Sequence, residues 1–159
     1  MAKKTRISSP AVAEPAPGLW SNAIRVGDVL HVSGMVSRGN DGFTIQGSGE
    51  YEQAKIIFTK IRHLIEAAGG TMSDVAKVTI YVTDIQHNTE VWRARREFFT
   101  GDFPASTLVE VSALAKPEVL VEIEAVAYIG SSGLGARTAR PAPRGKRGGA
   151  KTRAPPGKR

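Results

Sequence analysis

The sequence predicts an α+β sandwich, with two helices packed on one face of a β-sheet. Three observations carry this expectation. Between Val75 and Thr83, apolar Val78, Ile80 and Val82 alternate with Lys77, Thr79, Tyr81 and Thr83, the period of a strand with one buried face. From Glu50 to Ala68, the residues Ala54, Ile57, Phe58, Ile61, Leu64, Ile65 and Ala68 recur at helical spacing. The predicted elements run three strands, helix, strand, helix, two strands, so strands and helices alternate in the middle of the chain. A length of 159 residues with 41% hydrophobic content fits one domain with a real core.

Each element has its own local reason. Residues 1–17 are rich in Ala, Pro and Ser without periodicity and are expected to form a flexible N-terminal arm. Trp20 to Arg25 and Val29 to Ser33 read as two strands joined by a turn at Val26-Gly27-Asp28. Asn40-Asp41-Gly42 marks a further turn, with Phe43-Thr44-Ile45 as a short third strand. Ser48 is a candidate N-cap for the first helix, and Gly69-Gly70 ends it. Glu90–Phe99 reads as the second helix, with Gly101 just past its end. Thr107–Val111 and Val119–Tyr128 are β-branched-rich and form the last two strands.

Charge divides the chain. The formal net charge is +7. Residues 131–159 hold nine Lys/Arg and no Asp/Glu, which leaves 13 basic and 15 acidic residues, a net of −2, in residues 1–130. The basicity therefore belongs to the Gly-, Pro-, Ala- and Arg-rich tail, for which disorder is expected. Without interleaved aromatics, such a tail suits weak, non-specific, salt-sensitive contact with nucleic acid, or no partner at all. No cysteine occurs, which excludes disulfides and thiolate chemistry and fits a reducing compartment such as the cytoplasm. No apolar run approaches the ~20 residues that span a bilayer. Lys3, Lys4 and Arg6 are followed by no apolar stretch of the secretory kind, so no membrane partner is expected.

Candidate chemistry is sparse. Glu122 and Glu124 share one strand face with Leu120 and Val126. A carboxylate among apolar neighbours suits general acid or base work; the plain alternative is a solvent-facing edge paired with cations. Ser33-Gly34 ends the second strand, where a glycine admits close approach of a ligand or simply turns the chain. His31, His63 and His87 have no metal-ligand spacing, and no metal is expected. Gly130–Gly135 follows the last strand and opens no helix, so it is not a dinucleotide fingerprint.

Three segments together resemble the Rid (RidA/YjgF) family of small imine and enamine deaminases. They are Phe103-Pro104-Ala105-Ser106-Thr107-Leu108-Val109-Glu110-Val111, Val121-Glu122-Ile123-Glu124-Ala125-Val126-Ala127 and Val29-Leu30-His31-Val32-Ser33-Gly34. The resemblance covers about residues 18–130. It implies a chorismate-mutase-like fold with a mixed β-sheet and two helices on one face, a homotrimer with a cleft at each subunit interface, and cofactor-free chemistry. It makes Glu122 the residue that positions the attacking water. It puts Trp20, Ser33, Gly34, Ser106, Thr107 and Leu108 around the substrate.

The chain departs from that family at three places. Trp20 stands where a tyrosine is frequent, which removes a hydroxyl. Met35 stands where glutamine is usual, which makes the wall more apolar. Ser106 stands where an arginine grips the substrate carboxylate. A serine gives one neutral hydrogen bond in place of a bidentate, charge-assisted fork, a loss of about two to four powers of ten in transition-state affinity. Either another cation refills the site, with Arg93, Arg95 and Arg96 as the candidates, or the ligand lacks that carboxylate.

The leading expectation is a hydrolytic deaminase of a reactive imine or enamine. The alternatives are a non-enzymatic protein that binds a small metabolite, and an RNA-binding or ribonuclease-like protein.

Overall fold

The computed structural model describes residues 2–133. Its strands are β1 (Lys4–Ile7), β2 (Ala23–Val26), β3 (Val29–Met35), β4 (Val75–Val82), β5 (Ala105–Glu110) and β6 (Val121–Tyr128). Its helices are α1 (Glu50–Ala67) and α2 (Asn88–Arg95). The six strands form one sheet in the order β1-β2-β3-β6-β4-β5. Every pairing is antiparallel except β4 with β5, which is parallel and bridged by α2. Both helices lie on one side of the sheet, as the hydrophobic pattern predicts, and the parallel β4–β5 pair makes the sheet mixed, as the family resemblance implies.

The period-2 alternation sets that sidedness. Val78, Ile80 and Val82 of β4 and Val121, Ile123 and Ala127 of β6 are fully buried beneath α1. Helix α1 answers with Ala54, Ile57, Phe58, Ile61, Leu64 and Ile65, each fully buried. Phe58 also meets Phe98 and Phe99 at ring-centroid distances of 5.5 and 5.8 Å, which ties the α2 end to α1. Each large side chain buried this way contributes about 1.5–3 kcal/mol. The opposite sheet face carries Lys77, Thr79, Tyr81, Glu122, Glu124 and Val126, all half-buried and covered by no helix.

Several expectations are corrected. The arm predicted over 1–17 contains β1, which pairs with β2 from Lys4↔Val26 to Ile7↔Ala23, and Val12, which is buried in the core. A short strand rich in Lys and Arg at a sheet edge carries little hydrophobic signal, so composition masked it. Phe43-Thr44-Ile45 is not a strand; a single bridge joins Arg38 to Ile45. Gly49, not Ser48, is the α1 N-cap residue, and Ser48 instead donates its N–H and hydroxyl to Glu52 at 2.7 and 2.9 Å. The first helix does end at Gly69, whose φ of 86° is one that glycine adopts without strain. The body also runs past residue 130, because the Ser132 N–H donates to the buried Asp74 carboxylate at 2.8 Å. The rest of the predicted basic tail, 134–159, lies outside the described residues.

Candidate active site

The central feature is a register shift between the paired antiparallel strands β3 and β6. Val32 pairs with Ala125 and Met35 with Ile123, so two β3 residues, Ser33 and Gly34, face one β6 residue, Glu124. This bulge bends β3 where the resemblance places the site. The Glu122 side chain then lies directly on Gly34. A Cβ at position 34 would fall 2.0 Å from Glu122 Oε1 and 2.9 Å from its Cδ. Only a residue without a side chain lets the carboxylate lie there.

Burial pushes the Glu122 carboxyl above its ordinary value, and the negative charge of Glu124 adds to the shift. A carboxyl so placed is a stronger base than an exposed glutamate when ionised.

Around it is a pocket of about 360 Å³ lined by residues including Trp20, Asn22, Ser33, Gly34, Met35, Arg38, Lys60 and Glu122. Ser33 is fixed from both ends. Its N–H donates to Asn22 O at 2.9 Å and its hydroxyl to Ser21 O at 2.7 Å. Asn22 is buried and donates to Ala13 O at 3.0 Å, so the segment before β2 forms a wall of the pocket. Trp20 remains 45% exposed at the mouth, with the Arg38 guanidinium 5.8 Å from its ring centre.

Of the residues chosen from sequence, Trp20, Ser33, Gly34 and Glu122 converge on this pocket. Ser106, Thr107 and Leu108 do not line it. They lie on β5, two strands from β6 at the sheet edge, with Ser106 beside Val78 and Thr107 accepting a 2.5 Å hydrogen bond from Lys77 Nζ. Within one chain the two groups are separate.

The three candidate replacement arginines are also elsewhere. Arg93 pairs with Glu90 at 3.0 Å and covers the Tyr51 ring, and Arg95 lies over Phe103. None of the three lines the Glu122 pocket.

Two cations that the sequence reading missed do line it. Lys60 is buried in α1, and its ammonium donates to Val36 O at 3.0 Å and to Arg38 O. Burial, with the nearby Arg38 charge, lowers its pKa to about 8. The available signal was a lysine on the buried stripe of α1, between Ile57 and Ile61. Arg38 gave no comparable signal, because its loop has no periodicity.

Among the described residues no group of three or more His, Cys, Asp or Glu could hold a metal ion, and no helix is long and apolar enough to cross a membrane. His87 Nδ1 lies 2.8 Å from Glu50 Oε1, and His31 faces a separate pocket of about 300 Å³ beside Lys77 and Glu124.

Comparison with known proteins gives the family and the fold. The family model described as Endoribonuclease L-PSP matches residues 11–129. A 2-iminobutanoate/2-iminopropanoate deaminase of Dermatophagoides farinae is 35% identical over 132 residues, covering 81% of this chain and 99% of the relative. A solved Pseudomonas aeruginosa protein of unknown function is 40% identical with a TM-score of 0.72, covering 81% of this chain and 94% of its own. A solved Yersinia pestis protein of the conserved Rid family is 32% identical with a TM-score of 0.73, covering 80% of this chain and 100% of its own. With a family model matched over most of its length and relatives of 32–40% identity covered almost end to end, the chain belongs to the Endoribonuclease L-PSP family, the Rid (YjgF) proteins.

Proposed function

We propose that the Glu122 pocket hydrolyses a reactive imine or enamine to a carbonyl compound and ammonia, without a cofactor. The single observation that carries this reading is the Glu122 carboxylate, half-buried against Gly34, with its proton affinity raised by burial. A relative named as a 2-iminobutanoate/2-iminopropanoate deaminase supports the same reaction class.

In the proposed sequence an enamine first tautomerises to its imine. Ionised Glu122 accepts a proton from water as the water oxygen attacks the imine carbon. Glu122 returns that proton to nitrogen, which gives the neutral carbinolamine; it then passes the hydroxyl proton to nitrogen as the C–N bond breaks and the C=O bond forms, and ammonia leaves. One water is consumed and one ammonia formed, with no net redox change. Ser33 and Gly34 form the floor, and the Trp20 ring shields the mouth. Desolvation by these walls strengthens the base and keeps competing water out.

The same reading includes a homotrimer, in which Ser106, Thr107 and Leu108 on the exposed β5 edge complete a neighbour's pocket. The uncovered sheet face and the separation of these residues from Glu122 support that assembly. Because Ser106 replaces a carboxylate-binding arginine, a second reading is a protein that binds a small metabolite without efficient turnover.

The deciding experiment is ammonia release from an imino acid generated in situ. The wild-type protein should accelerate it, and Glu122→Gln should abolish the acceleration while leaving the melting temperature nearly unchanged. Equal rates for the two proteins, or no acceleration by wild type, would reject the deaminase reading.

A further inference from the structure

We infer that Arg38 is the carboxylate-binding residue of this pocket, taking over from the β3 side the charge that Ser106 lacks. The inference rests on the deaminase reading above for its choice of ligand, but it is observable as binding alone.

Four observations carry it. Arg38 lines the same pocket as Glu122, Gly34 and Trp20. Among the described residues no carboxylate pairs with its guanidinium, which lies 5.8 Å from the centre of the Trp20 ring. Its backbone is held on several sides. Lys60 donates to Arg38 O and Val36 O, Gln46 N donates to Ser37 O at 2.9 Å, and Gly39 N donates to Thr44 O at 2.7 Å. Asp41 in turn accepts from the N–H groups of Phe43 and Thr44 at 2.9 and 3.0 Å, which fixes the returning limb of that loop. Finally, Glu122 and Arg38 do not form an ion pair although they share the pocket, so the fork is not spent on the base.

The chemistry follows from these placements. A guanidinium held at cation–π distance from an indole, 5.8 Å from the ring centre, spends no N–H donor on that contact. Those donors match the two oxygens of a carboxylate. The buried Lys60 ammonium adds a second positive charge behind them. The pocket thus has a cationic side and a basic side. That polarity selects 2-imino acids over neutral imines, and Trp20 becomes the platform that aims Arg38.

The probe is 2-oxobutanoate, a stable carboxylate-bearing analogue of the hydrolysis product, with 2-butanone as its uncharged counterpart. Binding is followed by calorimetry or by chemical-shift change. Wild type should bind 2-oxobutanoate more tightly than 2-butanone. Arg38→Gln should weaken 2-oxobutanoate roughly tenfold to hundredfold, the loss of a charge-assisted pair. It should leave 2-butanone unaffected. Arg38→Lys, which keeps the charge without the fork, should lose less, and Arg62→Gln on the outer side of α1 should lose nothing. Unchanged 2-oxobutanoate affinity in Arg38→Gln, or no binding by wild type, overturns the inference. Arg38-dependent binding without ammonia release would reject the deaminase reading and leave this one standing. Ammonia release with an unaltered KM in Arg38→Gln would do the reverse. Arg38→Lys also covers the case in which the glutamine variant unfolds, because it retains the long stem over Trp20.

Discussion

Replacing Gly34 by alanine separates the stability of this protein from its proposed chemistry. The added Cβ would fall 2.0 Å from Glu122 Oε1, 2.9 Å from Cδ and 3.2 Å from Cγ, so the carboxylate must leave its place. The backbone does not resist, because Gly34 is not among the positive-φ glycines. The displaced group is the end of a flexible side chain on an open sheet face, so the overpacking cost should sit near the low end, about 1 kcal/mol. Against this, Gly→Ala reduces unfolded-state freedom and returns about 0.4–1 kcal/mol. The net change should be within about 1 kcal/mol, or roughly 3–5 °C in melting temperature. Activity should respond far more, since a catalytic group displaced by about 1 Å can cost about 10²-fold. A double-mutant cycle sharpens the test. In a Glu122→Ala background the clash is gone, and Gly34→Ala should become neutral or stabilising. The assays are thermal melts of the four proteins and ammonia release from an imino acid. Wild-type turnover in Gly34→Ala, or an equal destabilisation in both backgrounds, would refute the Gly34–Glu122 packing argument.

Other outcomes follow from the same geometry. Glu122 must be ionised to act as base, so kcat/KM should rise with pH through a value above the ordinary glutamate range; Glu124→Gln should move that limb to lower pH by removing the second cause of the shift, and an unmoved limb would exclude Glu122 as the titrating group. Lys60 binds its proton less tightly when folded, at about 8 against 10.5, so the unfolded chain holds more protons in that window and wild-type stability should gain from this group as pH rises across it; denaturant melts of Lys60→Met should lack that contribution, and an identical pH slope would contradict it. Light scattering should give a trimer of 17.0 kDa chains, and a monomer would remove Ser106, Thr107 and Leu108 from the proposed cleft. Asp74 is buried and accepts the N–H groups of Thr71 and Ser132, so Asp74→Ala should cost about 1–3 kcal/mol in a urea melt, and no loss would show those bonds to be of little weight.

What the sequence determined by itself was whatever depends on periodicity. The alternation of Val78, Ile80 and Val82 with polar neighbours named the buried face of β4, and the 3.6-residue stripe from Ala54 to Ala68 named the face of α1 that covers it. The same period-2 rule put Glu122 and Glu124 together on the other face. Turn glycines were legible for a like reason, because a left-handed φ is a local demand. Strand β1 escaped because an edge strand beyond the core, with a burial pattern almost wholly exposed, has no hydrophobic alternation to betray it.

Tertiary structure alone decided which residues meet. The β3 bulge that lays Glu122 on Gly34 depends on the register between two strands about 90 residues apart, and no local pattern encodes that register. The separation of Ser106 from Glu122 follows from sheet order, with β4 between β5 and β6. Arg38 entered the pocket through long-range bonds from Lys60 and from the returning loop, and through the Trp20 ring. A charged side chain in an aperiodic loop has no direction until such contacts supply one, which is why the arginines of α2 looked equally eligible in the sequence and why packing chose Arg38 instead.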